Sequence, residues 1–312
     1  MKKQIRILLV IILVFVPLFT TKSGTYRHDT HIEKYLEIAI QDEFNCVGQV
    51  FKVRDKGLSS MSNSVDNRDR LSVGSCILID SLHILSAAHC FIGEKTKDTV
   101  IHYNGLKVKT YITTSRFLIK PSNFSFFVMN QMVSAKKIIC HPNYLKNNSC
   151  DIAIILLKKP IHGGSTIFLN RTPNELHDTV TGVGFGVSGM ANEIAQVKNY
   201  SLKLAGQNIV DSIGGATVNG ISTKLYADFD YPDERSGCNR IGDSKALELE
   251  YGLSGGDSGG PLFRRKNACL ELVGIAAGTE MTVENLLEDG YYCTNMSWTR
   301  ISSLYNWIKG YL

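Results

Sequence analysis

The segment "YGLSGGDSGGPLF", Tyr251–Phe263, sets four glycines around Asp257 and Ser258 and returns to apolar residues through Pro261. Glycine admits positive φ and close backbone approach, so the run permits a tight bend that displays one side chain. A serine hydroxyl is a poor nucleophile at neutral pH. To be catalytic it needs a base to take its proton and a carboxylate to orient that base. Working outward, His89 stands apart among the eight histidines: "LSAAHC", residues 85–90, puts it just past an apolar run, behind two small alanines. Among the carboxylates, Asp151 is followed directly by the apolar run "IAIILL". Each feature alone has an ordinary structural reading; together, in the order His, Asp, Ser, they point to acyl-transfer chemistry.

From Val47 onward the chain consists of short apolar runs divided by turn residues, among them "VGQVFKV", "SCILID", "TVTGVGFGV" and "CLELVGIAAG". This texture predicts an all-β fold, a sandwich or barrel. Ile301, Leu304, Tyr305, Ile308 and Leu312 recur at helical spacing and predict a short C-terminal helix. The polar stretch before the β region holds "IEKYLEIAI", enough for a helical turn or two. Between Gly206 and Leu253 the abundance of Gly, Asp and Ser reads as long surface loops.

Lys2, Lys3 and Arg6 precede "ILLVIILVFVPLFT". An apolar run this short behind a basic start reads as a secretory signal peptide over residues 1–22, since a membrane span needs about 20 apolar residues. Residues 23–45 then form an N-terminal arm or propeptide. The expected product is secreted or extracytoplasmic, with no stable membrane span after signal removal. Eight cysteines in an exported chain, none at zinc-ligand spacing, suggest disulfides and no metal. Cys140 and Cys150 bracket the short loop before Asp151 and are expected to close on each other. The 34 basic and 29 acidic residues, net +5, are scattered, which speaks against a nucleic-acid face. Glycosylation sequons occur at Asn123, Asn147, Asn170, Asn199 and Asn295.

"LSAAHC", "DIAIILL" and "GDSGGP" resemble, in order, the three signature blocks of the chymotrypsin/trypsin-like serine peptidases. "VGFG" at 183–186 and "SWTRISSLYNWI" at 297–308 carry the resemblance from about Val47 to the C-terminus. It implies a peptidase domain over residues 46–312, built as two six-stranded antiparallel β-barrels, about 46–165 and 175–300, with a short C-terminal helix. His89 would be the general base, Asp151 its orienting carboxylate and Ser258 the nucleophile. The N–H groups of Gly256 and Ser258 would form the oxyanion hole. Cys76 and Cys90 resemble the disulfide beside the catalytic histidine. No cofactor is implied; the partners would be protein or peptide substrates and protein inhibitors, and the chain would be a monomer.

The sequence also departs from the family. Members that cut after Lys or Arg carry an aspartate six residues before the nucleophile, where this chain has Gly252; Lys/Arg specificity is not expected. Ser254 replaces the cysteine that braces the specificity pocket. In "GIAAGTE", Ala277 and Gly278 replace the usual serine and tryptophan of the substrate-pairing strand, and Thr279 falls at the pocket mouth; Met296 aligns with another pocket-wall glycine. Together these predict a shallow pocket for a small or medium apolar residue. No Arg-Ile-Val-Gly-Gly activation site occurs. Counting back from the first strand puts a zymogen cut after Lys34, freeing Tyr35 to reach Asp257. The reading is a secreted serine endopeptidase acting through an acyl-enzyme, with a catalytically silent binding protein on the same fold as the alternative.

Overall fold

The computed structural model describes residues 24–53, 70–103, 106–163, 167–191, 202–233, 241–242, 245–267, 269–280 and 292–312. The expected signal peptide lies outside these residues.

Strands Val47–Val53, Arg70–Leu78, His83–Ser86, Ala153–Leu157, Gln131–Cys140 and Phe124–Val128 close, in that neighbour order, into a six-stranded barrel. Val50, Ile77, Ile84, Leu85, Phe126, Ile138 and Ile155, on the two faces of its strands, are buried in one cluster. The pairing of Ser86 with Ala153 decides where the chemistry goes. In an antiparallel pair, the exit of one strand and the start of the next share one rim. His89, three residues past Ser86, and Asp151, two before Ala153, therefore emerge side by side. Just beyond the His89 turn, strands Ile92–Tyr103 and Leu106–Leu118 form a long hairpin that pairs with no other described strand.

The second half is a sheet in the order Leu204–Ile209, Thr179–Gly184, Pro261–Lys266, Cys269–Glu280, Asn295–Arg300, Ile221–Asp228, Ser212–Val218, with the short Phe168–Leu169 alongside Cys269–Glu280. Its end strands are consecutive in the chain, separated only by Val210 and Asp211, so the sheet rolls to bring them together. Asn208 bridges the seam, its Nδ2 donating to the carbonyls of Asp228 and Tyr251. Val180, Leu204, Leu225, Leu262, Val273 and Trp298 form its core. Part of the stretch expected as loop is therefore strand. Ser212–Val218 and Ile221–Asp228 form a hairpin turned by Asn219 and Gly220, both at positive φ (50° and 77°), the Asn-Gly pair that such turns favour.

The N-terminal arm is integral to this body. Thr25–Tyr26 lies between Gly189–Met190 and Tyr251–Gly252, and helix Ile32–Ala39 buries Tyr35 in the second core and Ala39 in the first. The expected C-terminal helix is present as Ile301–Lys309; Ile301, Leu304 and Ile308 join a buried cluster shared by the first barrel and the second sheet. Asn170 is a sequon by string but is 2% exposed, its side chain bonded to Thr172 and Glu175, so a glycan cannot reach it in the folded chain. No helix among the described residues is long and apolar enough to cross a membrane.

Candidate active site

Asp151 holds His89 twice. Its Oδ1 accepts the His89 backbone N–H (2.9 Å) and its Oδ2 accepts Nδ1–H (2.6 Å). This clamp fixes the tautomer that leaves Nε2 as the basic nitrogen. Burial disfavours the charged ring, but the adjacent Asp151 charge overrides it and holds His89 well above the ordinary imidazole range. Asp151 is steadied in turn from the second half, where Thr299 Oγ1 donates to its backbone carbonyl (2.9 Å).

The Ser258 loop is pinned from both halves. Its own turn is closed by Asp257 N–H to Ser254 O and Gly260 N–H to Asp257 O; Gly259 N–H reaches Ala276 O in the neighbouring strand. From the first barrel, Ser75 N–H donates to Ser258 O (2.8 Å) and Ser75 Oγ to Gly256 O (2.8 Å), while the same Oγ accepts Phe185 N–H. Ser75 is fully buried and was not singled out by sequence; the one signal was a hydroxyl in an otherwise apolar strand. Gly259 is obligatory: at φ 87° a Cβ there would lie 2.1 Å from Ser86 Oγ and 2.8 Å from Ala87 N. That contact sets the nucleophile loop against the turn carrying His89. Gly256, at φ 101°, leaves its N–H and that of Ser258 without a hydrogen-bond partner among the described residues. No hydrogen bond joins Ser258 Oγ to His89 Nε2 among the described residues; such contacts commonly tighten when substrate arrives.

The expected pocket positions have close neighbours of their own. Phe229 lies beneath Gly252, its ring 3.0 Å from where a Cβ would stand. Met296 is fully buried opposite Thr279, and its Sδ accepts the Leu253 N–H (2.9 Å). Ala277 sits in the irregularity between Ala276 and Gly278, and a Cβ on Gly278 would touch nothing within 4 Å. A cavity of about 520 Å³ between the linker near Phe168 and the C-terminal helix contains none of these residues.

Two expectations need correction. Cys76, Cys90, Cys140 and Cys150 are free thiols rather than two disulfides. Cys90 Sγ faces the carbonyls of Val73 and Ser258, Cys140 Sγ faces Ala88 O, and Cys150 Sγ lies by Asn143 Nδ2. Burial pushes the Cys140 thiol up to about 12, so it is unreactive. Cys293 is the one disulfide-bonded cysteine among the described residues. The second correction concerns Lys34–Tyr35. That bond lies inside helix Ile32–Ala39, with Lys34 paired to Glu248 (2.6 Å) and the fully buried Tyr35 donating from Oη to Glu250 O. Tyr35 cannot be a free terminus at Asp257. The backbone N–H that approaches Asp257 is that of Gly24, which is buried. The carboxylate also accepts N–H groups from Ser254 and Gly186, yet burial still raises Asp257 to about 7.

A closed β-barrel beside a rolled β-sheet, with a His–Asp pair on one and a Gly-bounded serine loop on the other, defines the class of serine peptidases of trypsin type. The chain belongs to that family: the Trypsin family model matches residues 55–308. It is similar to "Serine protease SSP1" of Scolopendra subspinipes, 28% identical over 246 residues, covering 76% of this chain and 72% of that protein. Its fold is similar to that of neuropsin, a serine protease expressed in the limbic system of mouse brain. There the TM-score is 0.51 at 16% identity, covering 86% of this chain and 94% of neuropsin.

Proposed function

We propose that this chain is a secreted serine endopeptidase in which His89 Nε2 takes the Ser258 hydroxyl proton as Oγ attacks the scissile carbonyl. The observation that carries the reading is the pair of hydrogen bonds that Asp151 accepts from His89, on the rim against which the Ser258 loop is pinned. Attack forms the Oγ–C bond and puts negative charge on the carbonyl oxygen, which the Gly256 and Ser258 N–H groups would receive at about 3 kcal/mol each. His89 then returns the proton to the leaving amine. Water, activated by the same nitrogen, releases the acyl group from Ser258. The residue before the cut is small, because Met296, Thr279 and Phe229 crowd the pocket. The open edge of Gly278–Glu280 accepts the substrate backbone.

Maturation frees the chain at Gly24, one residue past Ser23. A new ammonium there would meet Asp257, a buried carboxylate beside which only neutral donors stand among the described residues. N-terminal sequencing of the secreted protein is expected to begin at Gly24; a start near Tyr35 would overturn this.

A peptide-library cleavage profile, run beside Ser258→Ala, tests the activity. Cleavage is expected from the unaltered chain alone, after Gly, Ala, Ser or similar small residues. A dominant Lys or Arg preference would refute the pocket reading. Absence of both cleavage and fluorophosphonate labelling in the Gly24-started chain would refute the enzyme.

A further inference from the structure

The hairpin Ile92–Tyr103/Leu106–Leu118 pairs with no other described strand. At about 3.3 Å per residue, its strands make an arm of about 40 Å. Isolated two-stranded hairpins are marginal in water, so an arm of this length is completed by what it binds. Its foot is fixed beside the general base. Ile92 pairs with Leu118, and Ile119 N–H donates to the carbonyl of Phe91 (2.9 Å), two residues past His89. Whatever lies along the arm is thereby brought to the rim that carries His89 and Asp151.

Charge and apolar exposure define the partner. By sequence the hairpin carries Lys95, Lys97, Lys107, Lys109 and Arg116 against Glu94 and Asp98, so it holds +3 of the whole chain's +5. Glu94 is already paired with Arg116 (2.6 Å). The lysines are therefore an excess that suits carboxylates. Val100 (49%), Ile112 (51%), Phe117 (46%) and Leu118 (38%) are exposed along the same arm. Both outer edges offer backbone groups unpaired among the described strands, a template for a further strand.

We propose that this hairpin is a docking arm for protein substrates. It takes an extended segment in which carboxylates alternate with apolar or β-branched residues, adds it as a third strand and holds it beside the cleft. The substrate role rests on the peptidase reading above. Specificity then comes largely from the arm, because the crowded pocket distinguishes little beyond size.

The test uses the Gly24-started chain and a form in which residues 97–112 are replaced by an Asn-Gly turn. Binding is read by fluorescence anisotropy in the Ser258→Ala background, with a labelled fourteen-residue peptide alternating Glu with Val and Thr, and a matched peptide carrying Lys for Glu. The Glu peptide is expected to bind at least tenfold more tightly, to weaken in high salt, and to lose its advantage when the arm is shortened. Equal binding of the two peptides, or an advantage that survives shortening, would overturn the proposal. So would sedimentation with phosphatidylglycerol vesicles in the absence of any peptide preference, which would assign the arm to a lipid surface. In the active chain, a short core peptide is expected to be cleaved equally with either arm, while a Glu-Val extension accelerates cleavage tenfold only with the full arm. Failure to cleave the core peptide, with the binding preference intact, would refute the site reading and leave the docking arm standing.

Discussion

Asp151 does two jobs with one carboxylate, and both can be measured. Asp151→Asn preserves shape but turns an acceptor into a donor at His89 Nδ1, so kcat is expected to fall about 10⁴-fold with little change in KM. His89 must be neutral to act as base. Its raised pKa places the acid limb of the kcat/KM profile above 6.5, with activity lost as pH falls through it. The sign for stability is opposite: a cation favoured by folding stabilises below the unfolded imidazole value, and that contribution fades as pH rises through the folded one. Ser75→Ala strands the buried Phe185 N–H and frees Gly256 O. A loss of about 1–3 kcal/mol by denaturant titration is expected, with kcat falling more than KM rises. An unchanged kcat would mean that the loop does not depend on Ser75. His89, Asp151 and Ser258 stood out in the sequence because each sits in a short, distinctive string. Ser75, Thr299 and Gly24 did not, because each acts on a partner more than a hundred residues away.

At the scale of elements, the linker between the halves is held by buried charge. Fully buried Glu175 receives Arg300 Nε and Nη2, Ser302 Oγ and Asn170 Nδ2. Arg264 alongside it bonds Asp178, Glu271, Asn170 and Asn174. Removing one partner of such a pair leaves the other charge uncompensated, so Glu175→Ala is expected to cost about 3–5 kcal/mol in chemical denaturation. Glu175→Ala together with Arg300→Met should recover much of this if the charge is the cause. Short apolar runs such as "IAIILL" announced strands of the first barrel, and helical spacing announced the final helix, while the barrel itself was expected from the family resemblance. Periodicity missed Ser212–Val218 because "SIGGATV" is half small residues and carries an irregularity between Gly214 and Thr217. The Asn219-Gly220 turn was the available signal there.

For the whole molecule, buried Asp257 sets a pH response that the proposed Gly24 terminus would change. An acid raised by burial holds its proton in the folded state after the unfolded chain has lost it, so stability falls as pH rises between about 4 and 7. A chain extended before Gly24 is expected to show this decline and to have kcat/KM reduced at least a hundredfold. Trimming to Gly24 should restore both, and an extended chain as active as the trimmed one would show that Asp257 needs no ammonium. The two ends of the described chain also tie the halves together: Thr25–Tyr26 lies in the second half's territory, and Ile301, Leu304 and Ile308 join a buried cluster that runs from the first barrel into the second sheet. Calorimetry is therefore expected to give one transition rather than two. The same tie governs synthesis. On the ribosome, the half translated first must wait for Ile301, Leu304 and Ile308 before the cluster it shares with the second half is closed. The His–Asp rim and the serine loop would thus mature together only once residues 301–308 have been made, and a product that stops short of them would lack the finished site.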